Sequence, residues 1–308
     1  MSAVLSNDGQ YILSASCDKT IKLWDRKTGE CIKTYKGHEK DVKSAIFSHD
    51  GRYILSASYD NTIKLWDIKT GKSIKTYEGI TDWINSAVFS PDGEYILSTS
   101  WDKTIKLWDR ETSECIKTYK GHNKIVESAV FSHDGKYILS TSWDKTIKLW
   151  DRKTDECIKT YEGHNGIVNS AIFSPDGKFI LSASSDETIK LWDIKTGECI
   201  KTYEGHTDDV NSAVFSPDGE YILSASNDNT IKLWNRDAGE CIKTYEGHNK
   251  IVKSAVFSHD GRYILSASSD ETIKLWKFAP LQELVESAKN RFKNVPLTNK
   301  ELREFYLE

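Results

Sequence analysis

The stretch GHNKIVESAVFSHDGKYILSTSWDKTIKLWDRKTDECIKTYEG, Gly121 to Gly163, contains one full period of the chain. Apolar and polar residues alternate along it in four short runs, SAVFS, YILSTS, TIKLW and CIKTYE, and none of the runs has a helical period. Each run predicts a strand. Asp134-Gly135 supplies a turn between the first and second, an Asp144-Lys145-Thr146 corner joins the second to the third, and RKTDE joins the third to the fourth. The result is a four-stranded antiparallel unit with strands a, b, c and d. Outward from this unit, tryptophan recurs at positions 24, 66, 108, 150, 192, 234 and 276, always 42 residues apart and without an insertion, so the chain holds seven units.

A unit of this length, with Gly-His near its start and Trp-Asp near its end, resembles the WD40 repeat, and seven of them resemble a seven-bladed β-propeller. The resemblance covers residues 2 to 278. Gly-His stands at 37-38, 121-122, 163-164, 205-206 and 247-248, and Trp-Asp at 24-25, 66-67, 108-109, 150-151 and 192-193. The departures are Ile80 for histidine, Asn235 and Lys277 for aspartate, and a first unit that begins too late to have Gly-His. Every unit keeps its b–c corner aspartate: Asp18, Asp60, Asp102, Asp144, Asp186, Asp228 and Asp270. The resemblance implies an all-β propeller over residues 1–279 and a structural network in each complete blade. In that network the corner aspartate accepts from the histidine, and a strand-b serine and the strand-c tryptophan join in. Its members are His38, Asp60 and Trp66; His122, Asp144 and Trp150; His164, Asp186 and Trp192; His206, Asp228 and Trp234; and His248, Asp270 and Trp276. Two serines per strand b qualify, for example Ser140 and Ser142, and the choice between them stays open.

Radial repetition leaves only the d strands as edges, and CIKTYEG alternates lysine and threonine with apolar residues as a protected edge should. Blade 7 ends at TIKLWKF and has no evident d strand. From Leu281 onward the period becomes helical, through Leu284, Val285, Ala288 and Phe292, and Thr298 with Glu301 forms a capping-box pattern ahead of Leu302, Phe305 and Tyr306. Residues 280–308 are therefore expected to form a short helical tail that packs on the propeller and covers the open edge. A monomer is expected unless that edge pairs. The tail resembles the endings of bacterial WD40 proteins, including those in which the propeller is the C-terminal sensor of a signalling NTPase.

With 308 residues, 38% hydrophobic and 29% charged, the chain reads as soluble and globular with ample core. A formal net charge of −4 supplies no whole-molecule attraction to nucleic acid or an anionic membrane. No apolar run approaches the ~20 residues of a bilayer span, and MSAVLSNDGQ has no secretory pattern. Cys31, Cys115, Cys157, Cys199 and Cys241 share one repeat position, too far apart to pair, and no Asn-X-Ser/Thr sequon occurs. The expected location is the cytoplasm.

Recurring Ser, His and Asp, such as Ser140, His122 and Asp144, superficially suggest a hydrolytic triad. A hydrolase needs one accessible nucleophile beside an oxyanion hole, whereas this set repeats in five blades. The histidines lie one per blade, with His49, His133 and His259 replacing proline in Ser-Pro-Asp-Gly turns, so no metal set is expected. Phosphate-binding loops are absent from the sequence. The expectation is a non-catalytic protein without cofactors.

The units differ in three series. The first is Asp41, Trp83, Ile125, Ile167, Asp209 and Ile251. The second is Lys43, Asn85, Glu127, Asn169, Asn211 and Lys253. The third precedes the corner aspartate: Cys17, Tyr59, Trp101, Trp143, Ser185, Asn227 and Ser269. All three belong to the d–a and b–c connections and are expected on one face around the central channel, the usual partner-binding face of the family. The opposite face, with its Asp-Gly turns and c–d loops, reads as nearly uniform. Tyr59, Trp83, Trp101 and Trp143 are expected to form an apolar patch on blades 2 to 4, with Ile80 and Ile125 adding apolar surface and Lys43 and Asp209 setting the register of a bound segment. The expected function is a protein- or peptide-binding scaffold or sensor. The alternatives are nucleic-acid binding through stacking and lysines, and a ligand-sensing fragment of a larger bacterial NTPase.

Overall fold

The computed structural model describes residues 2–278; the expected helices of 280–308 lie outside the described residues. Blades 1 to 6 are four-stranded antiparallel sheets, and blade 7 has three strands, Val252–Phe257, Tyr263–Ser268 and Ile273–Lys277. Strand order within each sheet follows the chain, a-b-c-d, as hairpin connections require. The a strands touch in succession around the molecule, and Ser2–Leu5 of blade 1 meets Val252–Phe257 of blade 7. The a strands therefore line the centre, and the seven sheets close into a ring.

The core lies between the blades. Leu149 and Tyr161 of blade 4 pack with Val168, Ala171 and Trp192 of blade 5, and the same grouping recurs at every seam but that between blades 7 and 1. The tyrosine of each d strand meets the strand-c tryptophan of the next blade edge to face, as Tyr119 meets Trp150 with ring centroids 5.9 Å apart. The strand-d lysine spans the same seam. Lys117 Nζ donates to the carbonyls of Arg152 and Lys153 at 3.1 and 2.6 Å and pairs with Asp155.

Two β-bulges recur and govern what each blade displays. In strand a of blade 4, pairing jumps from Val126↔Ser142 to Ser128↔Thr141, leaving Glu127 as the extra residue. The same shift leaves Lys43, Asn85, Asn169, Asn211 and Lys253 unpaired in their blades. Between strands c and d, pairing jumps from Leu149↔Lys159 to Trp150↔Cys157, so Ile158 is extra and stands 48% exposed. These outer bulges interrupt the free edge of every d strand, which discourages edge-to-edge pairing.

Blade 7 lacks a fourth strand among the described residues, and the effect is local. Leu275 is 41% exposed, whereas its counterpart Leu149 is 5% exposed. Trp276 of blade 7 and Trp24, which packs at the seam between blades 7 and 1, are half-buried, unlike the fully buried Trp66, Trp108, Trp150, Trp192 and Trp234. The seam still closes through Ala3, Ile12, Leu265 and Ala267. All six cysteines are unpaired and exposed.

Candidate functional site

The repeated Ser, His and Asp residues form a fixed structural chain in five blades. His Nδ1 donates to the corner aspartate Oδ2 at 2.7–2.8 Å in the pairs His38–Asp60, His122–Asp144, His164–Asp186, His206–Asp228 and His248–Asp270. Nε2 faces a serine hydroxyl at 2.7–2.8 Å, and that serine is the first of the two candidates: Ser56, Ser140, Ser182, Ser224 and Ser266. The strand-c indole N–H donates to the same oxygen, from Trp66, Trp150, Trp192, Trp234 and Trp276. The second serine serves the corner instead, as Ser142 accepts from Asp144 N–H and donates to the Lys124 carbonyl. Burial opposes charge on Asp60, Asp144, Asp186, Asp228 and Asp270, but hydrogen bonds, chiefly from the histidine and a threonine hydroxyl, outweigh it and hold these carboxyls well below their usual range. Gly121 lets the loop lie on the indole: its φ is +150°, and a Cβ there would sit 3.1 Å from Trp150. The serine hydroxyls of this network, Ser56, Ser140, Ser182, Ser224 and Ser266, are all engaged and buried.

Blade 3 differs. Ile80 is 5% exposed and packs with Tyr77, Ile84 and Trp108. The expectation that it adds apolar surface to the patch is corrected: with histidine absent, the apolar side chain turns into the core, where it removes area from water. Asp102 loses the histidine and keeps Thr81 Oγ1 at 3.3 Å and the Thr104 hydroxyl at 2.6 Å. Gly79 is also freed from the indole, since a Cβ there would meet nothing within 4 Å.

The three variable series converge on one end of the ring. In each of blades 2 to 7 the residue before the corner aspartate donates its backbone N–H to the carbonyl of the first-series residue: Tyr59 to Asp41, Trp101 to Trp83, Trp143 to Ile125, Ser185 to Ile167, Asn227 to Asp209 and Ser269 to Ile251. The bulge residue reaches the same place from strand a. Trp101 Nε1 donates to Asn85 Oδ1 at 3.0 Å, and Trp143 Nε1 donates to Glu127 Oε2 at 2.9 Å. Asn85 then donates to the Val126 carbonyl of blade 4, and Asn169 and Asn211 make the same bond to Val210 and Val252.

The four aromatics form one continuous row. Tyr59 stacks on Trp83 with centroids 4.5 Å apart and 19° between planes, Trp83 meets Trp101 at 4.6 Å, and Trp101 meets Trp143 at 5.6 Å. All four are partly exposed. Lys43 Nζ lies 5.4 Å from the Tyr59 ring centroid, a cation–π distance. Burial works against charge on Lys43, yet Tyr59 and Glu127 outweigh it and leave its pKa raised. On Lys253, burial, with Lys43 adding to it, lowers the pKa against the opposing pull of Asp209 and Glu127. The structure thus brings Tyr59, Trp83, Trp101, Trp143 and Lys43 together, ties Ile125 to Trp143 by a backbone hydrogen bond, and sets Asp209 on blade 6, away from the row. Sequence reasoning named Asn85 and Glu127 as variable but missed their role as anchors of the indoles. Their 16-residue spacing from Trp101 and Trp143, one bulge and one corner apart, carries that signal.

Among the described residues no three of His, Cys, Asp and Glu gather in a metal-binding arrangement, and no helix is long and apolar enough to cross a membrane. The WD domain, G-beta repeat family matches residues 1–25, 29–67, 71–109, 113–151, 155–193, 197–235 and 239–277, nearly the whole chain. One stretch of 41 residues is 44% identical to nuclear distribution protein PAC1 of Mycosarcoma maydis, a match that takes in 13% of this chain and 9% of the fungal protein. WD40 propellers are generally non-catalytic scaffolds for protein partners, and with seven repeats matched from end to end of the propeller, this chain belongs to the WD40 family.

Proposed function

We propose that this chain is a non-catalytic scaffold that binds a protein segment across the mouth of its central channel, with Trp83, Trp101, Trp143 and Tyr59 as anchors. The observation that carries this reading is the aromatic row, continuous over three adjacent blades and partly open to solvent. Such side chains bring large apolar area at little entropic cost, and truncating an anchor of this kind typically costs more than ~1 kcal/mol of binding energy. Their arrangement is stiff, because two indoles are pinned through Nε1 and the first tyrosine is stacked. Lys43 at one end of the row favours an acidic residue in the bound segment, and Glu127 sits beyond the indoles on the channel side.

Display panning of a random peptide library tests this directly, with the wild type compared against a folded Trp83→Ala/Trp101→Ala/Trp143→Ala variant. Sequences enriched by the wild type alone support the site. Equal enrichment by both proteins rules it out.

A further inference from the structure

The face opposite the aromatic row is less uniform than its sequence suggested. One repeat column, the residue after the Trp-Asp position, reads Arg26, Ile68, Arg110, Arg152, Ile194, Arg236 and Phe278. The arginines reach across the seam onto an aromatic ring of the preceding blade. Their guanidinium carbons lie 5.0 Å from Tyr263, 5.2 Å from Tyr53, 5.0 Å from Tyr95 and 5.9 Å from Phe179, for Arg26, Arg110, Arg152 and Arg236 in turn. Each also neighbours the turn aspartate of that preceding blade. Arg152 Nη1 stands 3.7 Å from Asp92. Asp50, Asp176 and Asp260 are held below the usual carboxylate range first by the hydroxyls of Ser48, Ser174 and Ser258, and Arg110, Arg236 and Arg26 add to the effect. In the seam between blades 6 and 7, Phe278 takes this place, its ring centroid 5.7 Å from that of Tyr221.

Two seams keep the ring and the aspartate but have isoleucine in the arginine's place. Between blades 1 and 2 a groove of about 450 Å³ remains beside Tyr11, Asp8 and Ile68. Between blades 4 and 5 a groove of about 540 Å³ remains beside Tyr137, Asp134 and Ile194. Tyr137 is 38% exposed. Both carboxyls are ionised, held low first by the hydroxyls of Ser6 and Ser132, with Asp134 at about 2. Lys136 pairs with Asp134 at 3.2 Å, and Lys159 and Lys195 also line this groove, as Lys33 and Lys69 line the other. A cleft also remains between blades 3 and 4, but there Arg152 is already over Tyr95.

We propose that the seams between blades 1 and 2 and between blades 4 and 5 are binding sites for arginine side chains of a protein partner. The occupant follows from the chain's own filled seams, four of which place a guanidinium over the same ring and beside the same carboxylate. A planar guanidinium stacks on an aromatic face while reaching a carboxylate, which the compact ammonium of lysine does less well. The apolar wall supplied by Ile68 or Ile194 receives the arginine's methylene stem. These sites lie at the other end of the strands from the aromatic row and do not depend on it.

The test is NMR of ring-labelled tyrosines during titration with acetyl-Gly-Arg-Gly-amide and with its lysine and phenylalanine counterparts, using Tyr11→Phe and Tyr137→Phe for assignment. The expected result is saturable shifts at Tyr11 and Tyr137, with the arginine peptide binding about fivefold tighter than the lysine peptide. In an Ile68→Arg/Ile194→Arg variant, which repeats a residue choice the fold already uses in four seams, those shifts should vanish. A Trp83→Ala variant should bind the arginine peptide as the wild type does. Equal or tighter binding of the lysine or phenylalanine peptide overturns the proposal. So does unchanged binding by the double isoleucine variant, or the absence of shifts at millimolar arginine peptide.

Discussion

Replacing His122 with isoleucine would make blade 4 resemble what blade 3 already is. His122 joins a carboxylate at 2.8 Å and a serine hydroxyl at 2.8 Å, and its side chain is 1% exposed. The bond to the charged acceptor contributes about 1.5–3 kcal/mol and the bond to serine about 1. Isoleucine recovers part of this by burying more apolar area, as Ile80 does. Ser140 keeps its bond from Trp150 although its O–H loses the histidine acceptor, and Asp144 keeps the Asn123 N–H and the Thr146 hydroxyl. The net cost is then about 2 kcal/mol, or roughly 5 °C in melting temperature for a chain of this size. Urea unfolding followed by fluorescence gives the value if the slope is unchanged. The carboxyl supplies an independent signature. Asp144 is depressed in the folded protein, so its contribution is fully present above the unfolded value of about 4 and is lost as pH falls through the lower folded value. In the variant the folded carboxyl should titrate nearer the unfolded one, so the gap between the two proteins should narrow between about pH 5 and about pH 3. A variant within about 0.5 kcal/mol of wild type at neutral pH, or a gap that stays constant on acidification, would refute the reasoning.

Lys117→Met should lower the urea midpoint by the equivalent of about 1 kcal/mol, because the ammonium bridges two carbonyls and Asp155 across the seam between blades 3 and 4. An unchanged midpoint would make that clasp a solvated contact. Leu149→Ala should cost about 2–4 kcal/mol and Leu275→Ala less than about 1, since the first is enclosed and the second is 41% exposed; equal costs would show that something covers the blade 7 edge in solution. A native-state thiol titration should count six reactive cysteines, with Cys17 the slowest, since burial and then a hydrogen bond with Asp41 raise its pKa.

The repeat made the architecture readable. A strict tryptophan interval, period-2 runs and Asp-Gly turns each point to four-stranded blades, and in the seventh unit the strand pattern runs out after TIKLWKF, where the described residues also hold three strands. The variable face was legible for the same reason, because seven copies show which columns tolerate difference. The partners of the variants in those columns were not legible. Ile80 differs from five histidines by a loss of polarity, and without ring nitrogens to bond the corner aspartate and the strand-b serine the side chain moves inward instead of joining the patch beside it. Ser140 and Ser142 are equivalent by pattern and share one face of strand b, but Ser140 meets both the histidine and the indole, whereas Ser142, at the corner end of the strand, bonds to the backbone of Asp144 and Lys124. The bulge that aims Glu127 at Trp143 depends on a one-residue slip in pairing, which composition does not encode. The arginine and isoleucine column shows the same limit from the other side. It reads as conservative surface variation until the neighbouring blade is in view, because the ring that a guanidinium covers lies on the preceding sheet. In a propeller each blade supplies half of each of the two seams it borders. The chemistry of a seam therefore belongs to pairs of columns, and a single substituted residue leaves its partner's ring and carboxylate in place for an outside ligand to use.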